Sequence, residues 1–188
     1  MRLGAVIVAA GASRRLGSPK SQLTFEGETF LNRLCRHFSL IASKVVIVQR
    51  PGLHIQAAPG IVIVENPDPE RGMLSSLQCG LNQLPDAENV IFSPVDYAPV
   101  KLTTIEALTA AHHGPLTLPT YQGKRGHPAI INRQLIYQLL QLAPTGNPKT
   151  VIYSYLEAAC LVDVDDPRVV EDVDTPEDYQ RLLEQQRA

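Results

Sequence analysis

The chain has no apolar run near the roughly 20 residues that a bilayer-spanning helix requires, so no membrane association is expected. Its opening apolar stretch, within MRLGAVIVAAGAS, is short and gives way to Arg14 and Arg15, which argues against a signal peptide. Cysteine is scarce. Cys35, Cys79 and Cys160 are odd in number, far apart and outside any C-x-x-C spacing, a pattern of free thiols in a cytoplasmic protein. It excludes a disulfide framework and a structural zinc site. Aromatic residues make up only 5% and interleave with no basic stripe, so nucleic acid is not an expected partner. Two familiar phosphate loops are also missing, G-x-x-x-x-G-K-[ST] and G-x-G-x-x-G.

What is present is an ordinary globular composition over 188 residues, 44% apolar and 19% charged, read as a single domain over residues 1–188. Charge is unevenly spread. Residues 1–50 carry eight Lys/Arg against two Asp/Glu, while residues 159–188 carry three Arg against nine Asp/Glu. One reading is solvated surface; the other is a basic phosphate loop facing an acidic metal-binding segment.

Buried-strand patterns recur at 3–10, 44–49, 61–65, 89–93, 115–118 and 129–131, with an alternating segment at 161–164. Helical spacing falls between them, at 29–41, 73–84, 103–113, 134–142, 149–159 and 176–186. This alternation predicts an α/β fold, a Rossmann-like domain whose mostly parallel sheet is wrapped by helices on both faces.

Five segments carry candidate chemistry. AAGASRRLGSPK, Ala9–Lys20, leaves the first strand at its carboxyl end, where open α/β sheets bind ligands. Ala9, Ala10, Gly11, Ala12 and Ser13 are small enough for backbone N–H groups to approach phosphate, and Arg15 and Lys20 add positive charge. In RGMLSSLQCGL, Gly72 precedes a helix whose first turn offers Ser75 and Ser76 to a base or ribose. In FSPVDYAP, Asp96 follows a strand and is suited either to Mg²⁺ or to capping the helix from Leu102. In EDVDTPEDY, Thr175–Asp178 reads as a helix start, which leaves Asp172 and Asp174 unexplained on the extended segment before it. In GKRGHPAII, Gly126 and His127 sit in a loop with Lys124 and Arg125, ahead of a strand.

Taken in order, these segments resemble the MobA-like nucleotidyltransferases, the molybdenum cofactor group that includes cytidylyltransferases. The signature [LV]-A-[AG]-G-x-[SG]-x-R-x-G-x-x-K is matched from Val8 to Lys20, with Leu16 where Met is usual. The resemblance implies that Arg15 and Lys20 hold a triphosphate and that Gly72, Ser75 and Ser76 close over the nucleobase. It implies that Asp96 and Asp174 hold Mg²⁺, with Asp172 a lesser candidate, and that Gly126 and His127 face the acceptor. CTP is the nucleotide favoured, because Ala9-Ala10-Gly11 and the Met73-Leu74-Ser75-Ser76 loop resemble the cytidine-selective branch. The implied reaction is attack by a phosphorylated small molecule, molybdopterin in the family, on the α-phosphorus with release of pyrophosphate. The family's G-D-x-G-x-R element is replaced here by APTGNPKT, Ala143–Thr150, which leaves open another acceptor such as a sugar phosphate. A non-catalytic nucleotide sensor on the same fold is the rival from a different class.

Overall fold

Six consecutive buried residues, Leu3–Val8, form β1, which is covered on both faces and lies in the middle of a large sheet. The computed structural model describes residues 2–186. A small hairpin, β2 (Thr24–Phe25) and β3 (Glu28–Thr29), follows the first loop, and then the main sheet resumes. β1 pairs in parallel with β4 (Lys44–Gln49) on one side and with β6 (Asn89–Pro94) on the other. β5 (Ile61–Glu65) adds to β4, again in parallel.

Beyond β6 the direction changes. β9 (Ala129–Asn132) runs antiparallel to β6 and to β7 (Leu116–Tyr121), while β8 (Lys124–Arg125) pairs with the far end of β7. β10 (Cys160–Asp163) returns to a parallel pairing with β7. The spatial order is β10-β7-β9-β6-β1-β4-β5. The sheet is thus mostly parallel, as the alternating pattern predicts, with one central strand reversed.

Helices α1 (Phe30–Ile41), α3 (Leu102–Ala111) and α6 (Pro176–Gln185) cover one face. They pack Leu34, Phe38, Ile105, Leu108 and Leu182 with Ala5 and Ile7 of β1. Helices α2 (Met73–Leu81) and α4 (Arg133–Gln141) cover the other, with Leu74, Leu77, Leu135 and Leu139 against Val6 and Val8. The period of two along β1 therefore feeds two separate cores.

Several boundaries differ from the sequence reading: β1 ends at Val8 and α2 at Leu81, short of 10 and 84, and two further changes have a physical reason. The strand read at 115–118 continues to Tyr121 through Pro119. The Pro119 carbonyl accepts from Gly126 N, so its missing N–H faces the break between the β9 and β8 ladders rather than β10. The helix read at 149–159 is α5 (Pro148–Ser154) followed by a 3₁₀ turn, Leu156–Ala158. No residue of α5 is buried, so little packing sustains the helix beyond Tyr155.

Chain order decides where a ligand can go. From β1 the chain passes to β4 and β5, then returns to β6 on the opposite side of β1. The crevice at the carboxyl ends of β1 and β6 is the switch point at which open α/β sheets bind ligands. α2 reaches this crevice because Gly80 lets it lie close on the sheet. A Cβ at Gly80 would stand 2.5 Å from Val6 Cγ1 and 3.0 Å from Val48 Cγ2.

Gly80→Ala should therefore lower the melting temperature. Alanine favours a helix by about 1 kcal/mol, but overpacking a closed core costs about 1–3 kcal/mol. A rise in melting temperature would show that α2 has room to move.

Candidate active site

The loop leaving β1 is folded back on itself. Ala9 N donates to Val48 O at 2.8 Å, and the Ser13 carbonyl accepts from Leu16 N at 3.1 Å and Gly17 N at 3.3 Å. Ser13 Oγ accepts from Lys20 N at 3.1 Å, closing the loop from the inside. Ser13 and Gly17 hold positive φ of 50° and 70°, so the chain turns sharply at both ends of this short arch. Among the described residues, the amides of Gly11, Ala12 and Ser13 donate to no protein acceptor. They line a cleft of about 460 Å³ together with Lys20, Ser76, Asp96 and Asp174. Free N–H groups beside fixed cations make an anion-binding concavity.

Asp96 enters from the end of β6 on a 3₁₀ turn, Val95–Tyr97. It does not cap α3. Asp166 does so, accepting from Lys101 N at 2.8 Å and Thr104 Oγ1 at 2.9 Å. The segment before α6 is tied to the same place, because Val173 N donates to Asp96 O at 3.3 Å. Val173 is buried in the core, so the alternation of an extended chain turns Asp172 and Asp174 outward on either side of it. Thr175 and Asp178 then form a capping box, with Thr175 N to Asp178 Oδ2 at 2.9 Å and Asp178 N to Thr175 Oγ1 at 3.2 Å.

Lys20 joins these pieces. Its Nζ donates to Asp96 Oδ2 at 2.7 Å and also to Asp174 Oδ1. Arg15 Nη2 donates to the second oxygen of Asp174. The two loop cations, alike in the sequence, differ in depth: the Lys20 side chain is 13% exposed and that of Arg15 is 69%. Burial pushes the Asp96 carboxyl above the usual carboxylate range despite Lys20 beside it. The hydrogen bond from Lys20 holds the shallower Asp174 below that range. Burial would depress the Lys20 ammonium, but the two carboxylates together raise it.

Asp96 Oδ1 is buried and has no hydrogen-bond partner. One carboxylate oxygen from each of Asp96, Asp172 and Asp174 lies within 4.8 Å of the others. An orphaned oxygen within a convergent set of hard ligands fits a divalent cation. Asp172, the lesser candidate from sequence, belongs to the set with Asp174.

On the opposite wall, α2 starts at Gly72, whose φ of 100° turns the chain into the helix. Ser75 and Ser76 are both buried, and Asn66 Nδ2 donates to each hydroxyl at 2.9 Å. Ser76 reaches the cleft and Ser75 turns away from it, donating to Gly72 O at 2.8 Å.

Gly126 and His127 lie elsewhere. They border a second cleft of about 490 Å³ with Tyr97, Lys149 and Tyr153, and Met73 lines both clefts. A Cβ on Gly126 would fall 1.8 Å from Val169 O, so only glycine fits there. The His127 ring packs against Phe92 and Tyr97 at centroid distances of 5.6 and 4.9 Å. Burial pushes its pKa down to about 4, so it is a neutral imidazole at neutral pH and not a phosphate-binding cation.

A doubly wound sheet whose switch point gathers cations and carboxylates is the architecture of enzymes that act on nucleotides. The chain belongs to the MobA-like NTP transferase domain family, whose pattern spans residues 5–159. It is 24% identical over 179 residues to the molybdenum cofactor cytidylyltransferase of Escherichia coli (strain K12), covering 93% of this chain and 92% of that one. It is also 27% identical over 194 residues to the nicotine blue oxidoreductase of Paenarthrobacter nicotinovorans, covering 95% of each. Among solved structures it superposes on Rv0371c of Mycobacterium tuberculosis H37Rv with a TM-score of 0.77 and 26% identity, covering 97% of each chain. That protein has also been crystallised with manganese (TM-score 0.73, 23% identity, covering 98% of this chain and 99% of that one).

Sequence reasoning missed two parts of this site, Asn66 and the pair Tyr97 and Tyr153 in the second cleft, and it did not show that Met73 borders both clefts. Asn66 carried a usable signal, since it stands directly before Pro67 at the carboxyl end of a strand.

The two aspartates make opposite contributions to stability. The raised pKa of Asp96 means that the fold loses stability as pH climbs from the ordinary carboxylate value through the folded one. The lowered pKa of Asp174 means that its contribution is present above the ordinary value and lost as pH falls through the folded one. At pH 7 without metal, Asp96→Asn should be as stable as wild type or more so, and Asp174→Asn should be less stable. Urea denaturation of both variants checks this, and equal losses would show that Asp96 is an ordinary structural ion pair.

Proposed function

We propose that this chain is a Mg²⁺-dependent cytidylyltransferase that moves CMP from CTP onto a phosphorylated acceptor of the molybdopterin class. The observation that carries the reading is the convergence of Lys20, Asp96, Asp172 and Asp174 at the switch point, beside the free amides of Gly11–Ser13. A non-catalytic sensor would need the cations but has no use for Asp174. The family is in keeping with a cytoplasmic enzyme.

In this reading the triphosphate lies along Gly11–Ser13, with Arg15 and Lys20 opposing its charge and the nucleoside near Gly72 and Ser76. Asp96, with Asp172 and Asp174, would hold Mg²⁺, which when bound neutralises triphosphate charge. The acceptor phosphate oxygen attacks the α-phosphorus in line. A new P–O bond forms as the α–β bridge breaks, and pyrophosphate leaves. No covalent intermediate on the protein is required, so catalysis consists of positioning and charge neutralisation. Lys20 already touches Asp96 and Asp174, so its ammonium passes to the triphosphate over a short distance.

The acceptor would occupy the second cleft. Tyr97, Tyr153 and the neutral His127 offer flat faces to a ring system, while Lys149 and Arg125 offer charge to a phosphate; Arg125 lies 5.7 Å over the Tyr153 ring. Lys149 comes from the segment that replaces the family's G-D-x-G-x-R, so one cation is retained there.

Pyrophosphate release, measured with each of the four nucleoside triphosphates against molybdopterin and sugar 1-phosphates, tests the reading. CTP with molybdopterin should be the fastest pair, and Arg15→Ala should raise the KM for CTP. Faster release with GTP would overturn the choice of nucleotide, and a sugar phosphate as best acceptor would overturn the choice of acceptor. Nucleotide binding with no release from any pair would favour the sensor.

A further inference from the structure

Asn66 follows β5 and lies behind the cleft wall, 2% exposed. Its orientation is fixed by chemistry. Asp68 N, which can only donate, lies 3.0 Å from one side-chain atom of Asn66, so that atom is Oδ1 and the other is Nδ2. The two hydrogens on Nδ2 then go to Ser75 Oγ and Ser76 Oγ, each at 2.9 Å. Both donors of this buried amide are directed into the start of α2, while its acceptor holds the Asp68 backbone.

The consequence differs between the two serines. Ser75 accepts from Asn66 and donates to Gly72 O at 2.8 Å, so its proton is already placed. Ser76 accepts from Asn66, and among the described residues its own proton meets no protein acceptor. A buried hydroxyl proton without a partner is costly. Ser76 lines the cleft, so its proton is directed to whatever acceptor, water or ligand, occupies that space. Asn66 can only donate on this side, so it also prevents Ser76 from turning its proton inward.

We infer that Asn66 is a positioning residue that holds the Ser76 hydroxyl as a hydrogen-bond donor toward an acceptor atom of the bound nucleobase. The inference rests on the nucleotidyl-transfer reading and deepens it. Cytosine suits this donor because its O2 and N3 are adjacent acceptors, whereas uracil carries a hydrogen on N3. Both pyrimidines carry O2, so only a bond to N3 would separate cytosine from uracil.

Asn66→Asp is the test, because the change is nearly isosteric and leaves Oδ1 to accept from Asp68 N. It replaces the donor facing Ser76 with an acceptor, so the Ser76 proton turns inward. Calorimetry with Mg²⁺ and two probes, CTP and inorganic triphosphate, reads the result. Asn66→Asp should weaken CTP roughly tenfold, the size of one lost hydrogen bond, and leave inorganic triphosphate unchanged. Ser76→Ala should do the same, and the double variant should bind CTP no worse than either single one. Unchanged CTP affinity, equal loss of both probes, or additive losses in the double variant would overturn the inference. If Asn66→Asp does not fold, Ser76→Ala decides alone: unchanged CTP binding sinks the idea and a CTP-specific loss supports it. Wild-type protein that binds neither probe would remove the functional reading and this inference together. Wild-type binding with unaffected variants removes only the inference.

Discussion

Everything at the switch point depends on Lys20 standing between Asp96 and Asp174. Three segments distant in sequence, the first loop, the end of β6 and the entry to α6, are drawn together there by one ammonium group. Asp96 is buried deeply enough that its ionised form is disfavoured, and Asp174 is shallow enough to be favoured by the same partner. The two carboxylates together still outweigh the burial of Lys20 and keep its ammonium charged.

The fold supplies the precision this site needs. β1 and β6 are neighbours through a register of six residue pairs, so the loop after Val8 and the turn after Pro94 start side by side. The bond from Val173 N to Asp96 O fastens the acidic segment to that turn, and the buried Val173 aims its two flanking aspartates outward. On the opposite wall, Gly80 lets α2 lie low on β1 and β4, which brings Ser76 to the rim of the same cleft. Met73, one turn earlier, borders both clefts, so the two sites share a side chain rather than being separated by a wall.

Much of this was legible in the sequence, for physical reasons that can be named. The α/β class follows from buried apolar runs alternating with amphipathic ones, and the family from the spacing of small residues and cations between Val8 and Lys20. Local chemistry was legible too, as in the helix start at Thr175–Asp178. What was not legible depends on contacts made across the fold. Nothing near Asp166 in the chain indicates that it caps α3, and nothing near Lys20 shows that it is buried while Arg15 is exposed. The extension of β7 through Pro119 was hidden because proline normally ends a strand, and only the gap between two ladders makes it acceptable. The neutrality of His127 was not legible either, because it comes from burial against Phe92 and Tyr97, which are distant in the chain.

The central claim is that the carboxylates around Lys20 bind a metal–triphosphate and are not a structural ion-pair network. Thermal melting of wild type and Asp96→Asn, each with and without Mg²⁺ and CTP, tests it most directly. Ligand at 100 times its Kd stabilises the native state by about 2.7 kcal/mol. For a chain of this size that corresponds to a rise of roughly 5–10 °C. Wild type should show that rise and Asp96→Asn little or none; an equal rise in both proteins would mean that these carboxylates form a structural ion-pair network.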